Sequence, residues 1–312
     1  MKGFLVKIGL FLFPLLWVIP MEMSVRQNSY QIKSKRAEAR QDSVRIMLLG
    51  SSMSNKGINP EYVRPEMISL ANDGSTLNLD RLLFDRYLET FPNLEMVIFE
   101  LSYHTLEDRK PNTWNKNHLF LTFYGVNNYG KDPALSEHFL MTSNPREYLK
   151  RYLTPEDKKD DSQFNAHGFV LNSESRFAPY DYDSIKIAET SLKEYMGGRH
   201  EREQIDVYHD NIRLLNEAID TCLAKNIKVV LLSPPKHYLY NQRNKSAKVE
   251  RLQNYLQEVR QREHVYVLNY DQDYQYQTEL FLNEDHLNLE GSTEFSKRLS
   301  RELNTILEAD SQ

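Results

Sequence analysis

Three stretches of the chain carry residues that can do chemistry. The first is Leu48-Leu49-Gly50-Ser51-Ser52, where an apolar run ends on a small residue. Gly50 allows a sharp turn, and the turn leaves a serine exposed at the strand end. A serine hydroxyl is a weak nucleophile and needs a base beside it. The second is Asn283-Glu284-Asp285-His286-Leu287-Asn288. A histidine among acidic residues can serve as general base, with a neighbour fixing its tautomer. The third is Leu70-Ala71-Asn72-Asp73-Gly74, a turn whose glycine suits positive φ. Each has a plainer meaning alone: a helix cap, a solvated histidine before a helix, a turn. Their order strengthens the chemical meaning, since Ser52 follows the first strand and His286 precedes the last helix.

Five short apolar runs read as strands. They are Val44–Leu49, Met67–Ala71, Leu94–Leu101, Ile227–Ser233 and Val265–Leu268. Helical spacing is predicted over Ser75–Thr90, Asp206–Lys225, Ala247–Glu263 and Leu289–Leu307. The alternation implies an α/β fold with a parallel sheet covered on both faces, in three layers. Active residues in such sheets sit beyond the C-terminal strand ends. The stretch 103–202 breaks the alternation and is expected to be a large, partly helical insertion or cap. Pro234-Pro235-Lys236-His237 follows the fourth strand. It reads as a solvated loop, with Lys236 or His237 at the site rim as the lesser alternative.

Composition narrows the function. The chain has 312 residues and a formal net charge of −5, so it lacks the basic footprint that nucleic acid demands. The single cysteine, Cys222, excludes an internal disulfide framework. Its place in a helical apolar pattern makes it a small buried residue. The nine histidines show no ligand spacing, so neither a catalytic metal nor another cofactor is expected.

Together these residues resemble the SGNH/GDSL hydrolase superfamily. Its block I is a Gly-Asp-Ser-like turn, matched here by Gly50-Ser51-Ser52, which gives Ser52 the nucleophile position. Its block V is Asp-x-x-His, matched by His286 with Asn283 in the acidic position and Asp285 adjacent. The resemblance implies that the Gly74 amide joins the Ser52 amide in an oxyanion hole. Block III expects Gly-x-Asn after the third strand; here Ser102 stands in that region and offers a hydroxyl. Gly57-Ile58-Asn59-Pro60 and His286-Leu287-Asn288 are similar to membrane-anchored cell-envelope O-acylation proteins. Those of teichoic-acid D-alanylation and alginate O-acetylation are examples. The resemblance covers roughly Val44–Leu101 and Asp206–Leu307.

The N-terminus fits that group. Lys2 and Lys7 precede an apolar run, Ile8–Ile19, in the order of an export signal. No small residue suits cleavage before Ser24, so residues 1–23 are read as an uncleaved anchor. Residues 24–43 are read as a polar stalk and 44–312 as the α/β domain. The later Arg26, Lys33, Lys35, Arg36 and Arg40 would favour a cytoplasmic body. The signal-like order and the resemblance favour an extracytoplasmic one, which is the expectation adopted. The expected activity is ester chemistry on O-acyl groups of a glycan or envelope polymer, by hydrolysis or transfer. A non-catalytic subunit beside a membrane-bound acyltransferase is the alternative. The distance from Ser52 to His286 separates the two, and a flavodoxin-like domain would place them far apart.

Overall fold

The computed structural model describes residues 7, 17–25, 28–154, 164–171, 175–194, 202–243 and 246–309. Its strands are β1 (Ile46–Leu49), β2 (Met67–Ser69), β3 (Met96–Glu100), β4 (Lys228–Ser233) and β5 (Val265–Asn269). They form one sheet in the order β2-β1-β3-β4-β5, with every pair parallel. The helices that matter below are α1 (Ser29–Ala39), α2 (Ser52–Gly57), α3 (Leu77–Leu88), α4 (Asn117–Tyr124), α5 (Ile205–Ala224), α6 (Ser246–Val259) and α7 (Leu289–Glu308).

Strand residues alternate between two cores. Met47, Leu49, Val97 and Phe99 face one side with Leu83 of α3, Ile219 of α5 and Leu252 of α6. Ile46, Leu48 and Ile98 face the other with Phe295, Leu299 and Leu303 of α7. Both faces are therefore covered, and β1 to β4 are buried along their whole length. That explains why their sequences read as apolar runs rather than as alternating ones. Burying each large apolar side chain of α7 contributes roughly 2 kcal/mol. Those contacts fix the helix and the segment just before it.

The strand order reverses between β1 and β3. The chain leaves β1 for β2 on one side and returns to β3 on the other, so their C-terminal loops part and open a crevice. A second, two-stranded antiparallel sheet pairs β6 (Phe281–Asn283) with β7 (His286–Leu287). Sequence periodicity did not announce it, because strands this short carry too few residues for a pattern.

One expectation changes. The segment read as a stalk belongs to the body: Tyr30, Lys33, Ser34 and Ala37 of α1 are buried. Tyr30 packs among the rings of Phe120, Phe123 and Tyr124. A polar composition concealed this stripe, since two of its four members are polar. The insertion is partly helical and packs against the body. Phe120, Tyr124 and Tyr148 join the first core, and Phe177 and Ile187 join the second. Buried Glu107 near its start pairs with Lys248 and Arg251 of α6 and accepts from the Gln204 amide, tying both ends down. Among the described residues, no helix is long and apolar enough to cross a membrane. Most of the apolar run read as an anchor, residues 8–16, lies outside the described residues.

Candidate active site

The turn that carries Ser52 is built on a buried carboxylate. Gly50 follows β1 with φ +158°, and a Cβ there would come within 2.6 Å of the Glu100 Cβ. Only glycine lets β1 and β3 approach so closely at their ends. Ser51 caps α2, and Ser52 is the first residue of that helix, half-buried and accessible. Glu100, the last residue of β3, is almost fully buried. It accepts from the Ser51 amide at 3.0 Å, the Ser54 amide at 2.8 Å and the Ser51 hydroxyl. Three donors compensate the buried charge, which also suits the positive end of α2. The arrangement clamps the chain on both sides of Ser52 and leaves its own hydroxyl out of the clamp.

His286 arrives on the β6–β7 hairpin. A two-residue loop, Glu284-Asp285, places Asn283 directly across from His286. The loop after β4 braces it, for the His237 amide donates to the Glu284 carbonyl at 3.0 Å. His286 Nε2 lies 2.8 Å from Ser52 Oγ. His286 Nδ1 lies 2.8 Å from Asn283 Oδ1 and 2.8 Å from Asp285 Oδ1. The Asp285 amide donates to Asn283 Oδ1 at 3.2 Å, which identifies that atom as the amide oxygen. Both groups at Nδ1 are thus acceptors, and Nδ1 carries the proton. Nε2 then presents a lone pair to the Ser52 hydroxyl. Serine hydroxyl, imidazole and acceptors thus form one chain of contacts, the arrangement that an activated serine requires.

Beside the serine lies the loop after β2. The Asn72 amide donates to the Gly50 carbonyl at 3.0 Å, holding the two loops together. Gly74 has φ +81°, and a Cβ there would lie 3.2 Å from the Trp114 ring. Among the described residues, no acceptor takes the Ser52 or Gly74 amide. Ser102 does not join them. It is fully buried, its hydroxyl points to the Met53 sulfur at 3.6 Å, and its amide donates to the Thr105 hydroxyl. The expectation that Ser102 supplies an oxyanion donor is therefore corrected: its polar groups are already committed inside the fold.

A charged network backs this loop. The Asp73 carboxylate accepts from the Asn55 amide group at 2.7 Å and pairs with Lys56 at 3.3 Å. Burial raises the Asp73 carboxyl, but Lys56, Asn55, His286 and Lys116 together outweigh it and hold it below its usual range. Lys33 of α1 donates to Asn55 Oδ1 and to the Ala71 carbonyl. Burial pushes Lys33 down to about 7, opposed by the Asp73 charge.

Lys236 and His237 are not solvated, contrary to expectation. Lys236 is buried and bonded to Asp271, Ser233 and the Pro234 carbonyl. His237 packs between Phe177 and Phe281, and burial lowers it to about 4. His237 supports the hairpin through its ring contact with Phe281 and its amide, and Lys236 ties the loop after β4 to Asp271. Sequence reasoning missed Glu100, Asp73 and Lys33. Glu100 did leave a trace, a lone carboxylate at the end of an otherwise apolar strand. Lys33 left none, because its partners are distant along the chain. Cys222 is buried in the first core, as expected of it. Compared with known proteins, the chain matches no family model and no curated protein.

Proposed function

We propose that the chain is an SGNH-type serine esterase or acyltransferase. It is membrane-anchored and works outside the cytoplasm on O-acyl groups of a glycan or envelope polymer. The observation that carries the reading is the 2.8 Å contact of Ser52 Oγ with His286 Nε2, with Nδ1 held by Asp285 and Asn283. Ser52 Oγ attacks the acyl carbonyl while its proton passes to Nε2. The imidazolium is stabilised by the Asp285 carboxylate. The oxyanion is received by the amides of Ser52 and Gly74, where one such donor is typically worth a factor of about 10²–10³ in rate. His286 then returns its proton to the departing alcohol oxygen, leaving an acyl-Ser52 ester. Water or an acceptor hydroxyl, deprotonated by Nε2, attacks that ester and frees Ser52.

Further support comes from placement. Ser52 follows the C-terminal end of β1, beside the reversal of strand order, and His286 meets it there; α/β sheets bind ligands at such places. A contact this short argues against a non-catalytic subunit and against a flavodoxin-like site. The polymer substrate and the envelope location rest on the sequence resemblance and the N-terminal apolar run. The test is labelling of the full chain in detergent with a fluorophosphonate probe, against Ser52→Ala and His286→Ala. Wild type should label and both variants should not. A folded wild type that stays unlabelled, or a Ser52→Ala variant that labels equally, refutes the reading.

A further inference from the structure

Two adjoining elements leave large apolar side chains in water. The helical segment 17–25 exposes Trp17, Ile19 and Met23. The segment 135–153 of the insertion exposes Leu135, Phe139, Leu149 and Leu153. Glu22 joins them: its buried carboxylate accepts from the Leu140 amide at 3.0 Å and the Met141 amide at 2.8 Å. These are the first amides of the short helix Leu140–Ser143, which would otherwise lack acceptors.

The next helix, Pro145–Leu153, is arranged unusually for a surface helix. Ordinarily the apolar stripe turns to the core. Here Tyr148 alone is buried, its hydroxyl 2.7 Å from the His118 ring. Leu149 and Leu153, four residues apart, share the outer side and are 43 % and 66 % exposed. Arg146 and Lys150, also four apart, stand exposed beside them. Outward leucines flanked by cations are the pattern of a helix lying in a bilayer interface.

Position along the chain supplies the occupant. The apolar run Ile8–Ile19 continues directly into segment 17–25. Glu22 is three residues past Ile19, about 5 Å along a helix axis. The headgroup zone on each side of a bilayer is about 5–8 Å thick. Whatever Glu22 holds is therefore carried into that zone if the run is embedded. We propose that segment 135–153 lies on the lipid surface. Phe139, Leu149 and Leu153 enter the headgroup boundary, and Arg146 and Lys150 face anionic lipid phosphates. The inference rests on the anchor reading above. Its consequence is a second attachment that fixes the domain's orientation to the membrane, which a single anchor helix leaves free.

The experiment uses the full chain reconstituted in phosphatidylcholine/phosphatidylglycerol vesicles. Nitroxides are attached at Leu149→Cys, Leu153→Cys and, as a solvent control, Arg301→Cys. Cys222 is buried and its thiol is pushed up to about 12 by burial, so it stays unlabelled. Power saturation should show the labels at 149 and 153 at least fivefold less accessible to a water-soluble nickel chelate than the label at 301, and more accessible to oxygen. Equal nickel accessibility at all three positions, in protein that floats with the vesicles, overturns the lipid-facing surface alone and points to a protein partner. Protein that fails to float overturns the surface and the anchor together.

Discussion

Asp285→Asn separates charge from geometry at the base. The asparagine keeps an oxygen near His286 Nδ1 but removes the negative charge that, in the proposed mechanism, stabilises the imidazolium while Ser52 attacks. The carboxylate oxygen and Nδ1 are 2.8 Å apart, with side chains 8 % and 11 % exposed. At an effective dielectric of about 20 that contact is worth roughly 6 kcal/mol. Halving it for water at the half-exposed serine leaves about 3 kcal/mol, or a factor of roughly 10² in rate. Asn283→Ala removes a neutral acceptor only, worth about 1 kcal/mol, so a loss of tenfold or less is expected. The assay is the second-order rate constant for fluorophosphonate labelling, which needs no knowledge of the natural substrate. Asp285→Asn should fall about a hundredfold and Asn283→Ala no more than tenfold. If Asp285→Asn stays within threefold of wild type while Asn283→Ala falls further, Asn283 orients the base and the electrostatic argument fails.

Glu100→Ala strands two buried amides and a hydroxyl, each costing about 1–3 kcal/mol; urea unfolding should show a loss of at least about 3 kcal/mol, and an unchanged midpoint would remove Glu100 from the turn's support. Gly74→Ala imposes a left-handed conformation on alanine, at a cost of about 1 kcal/mol, and sets a methyl 3.2 Å from Trp114. Labelling should fall at least tenfold with stability nearly kept, and unchanged labelling would exclude the Gly74 amide from the oxyanion site. Lys33→Met tests the buried amine, whose folded pKa is lowered to about 7 from 10.5. Between those values the unfolded chain binds a proton that the folded chain has released, so this group makes stability rise with pH. The advantage of wild type over Lys33→Met should grow by on the order of 3 kcal/mol from pH 7 to pH 10; a difference that is flat in pH would mean Lys33 titrates normally.

The fold class and the two principal site residues were legible in the sequence for local reasons. A buried parallel strand needs a short apolar run, and all five runs became strands within two residues of their expected ends. An exposed serine after such a strand needs a small residue to turn on, and Gly50 supplied it. The long helices showed their apolar faces by spacing, so α7 and the approach of His286 to it could be anticipated. What the sequence could not convey was pairing across distance. Ser52 and His286 are 234 residues apart, and only the packing of α7 and the brace from the His237 amide bring them to 2.8 Å. The hairpin was too short to have a period, so Asn283 became a neighbour of His286 only once the strands paired. Lys236 and His237 were misplaced because a polar side chain reads as solvated until its partners are known, and Ser102 because its hydroxyl reads as open to the site until Met53 is seen to take it. Lys33 and Glu100 are the opposite case, charges that fold inward because loops and helices distant along the chain present donors and acceptors to them. Local composition determines which segments bury themselves; which polar atoms meet inside is decided only when those segments pack.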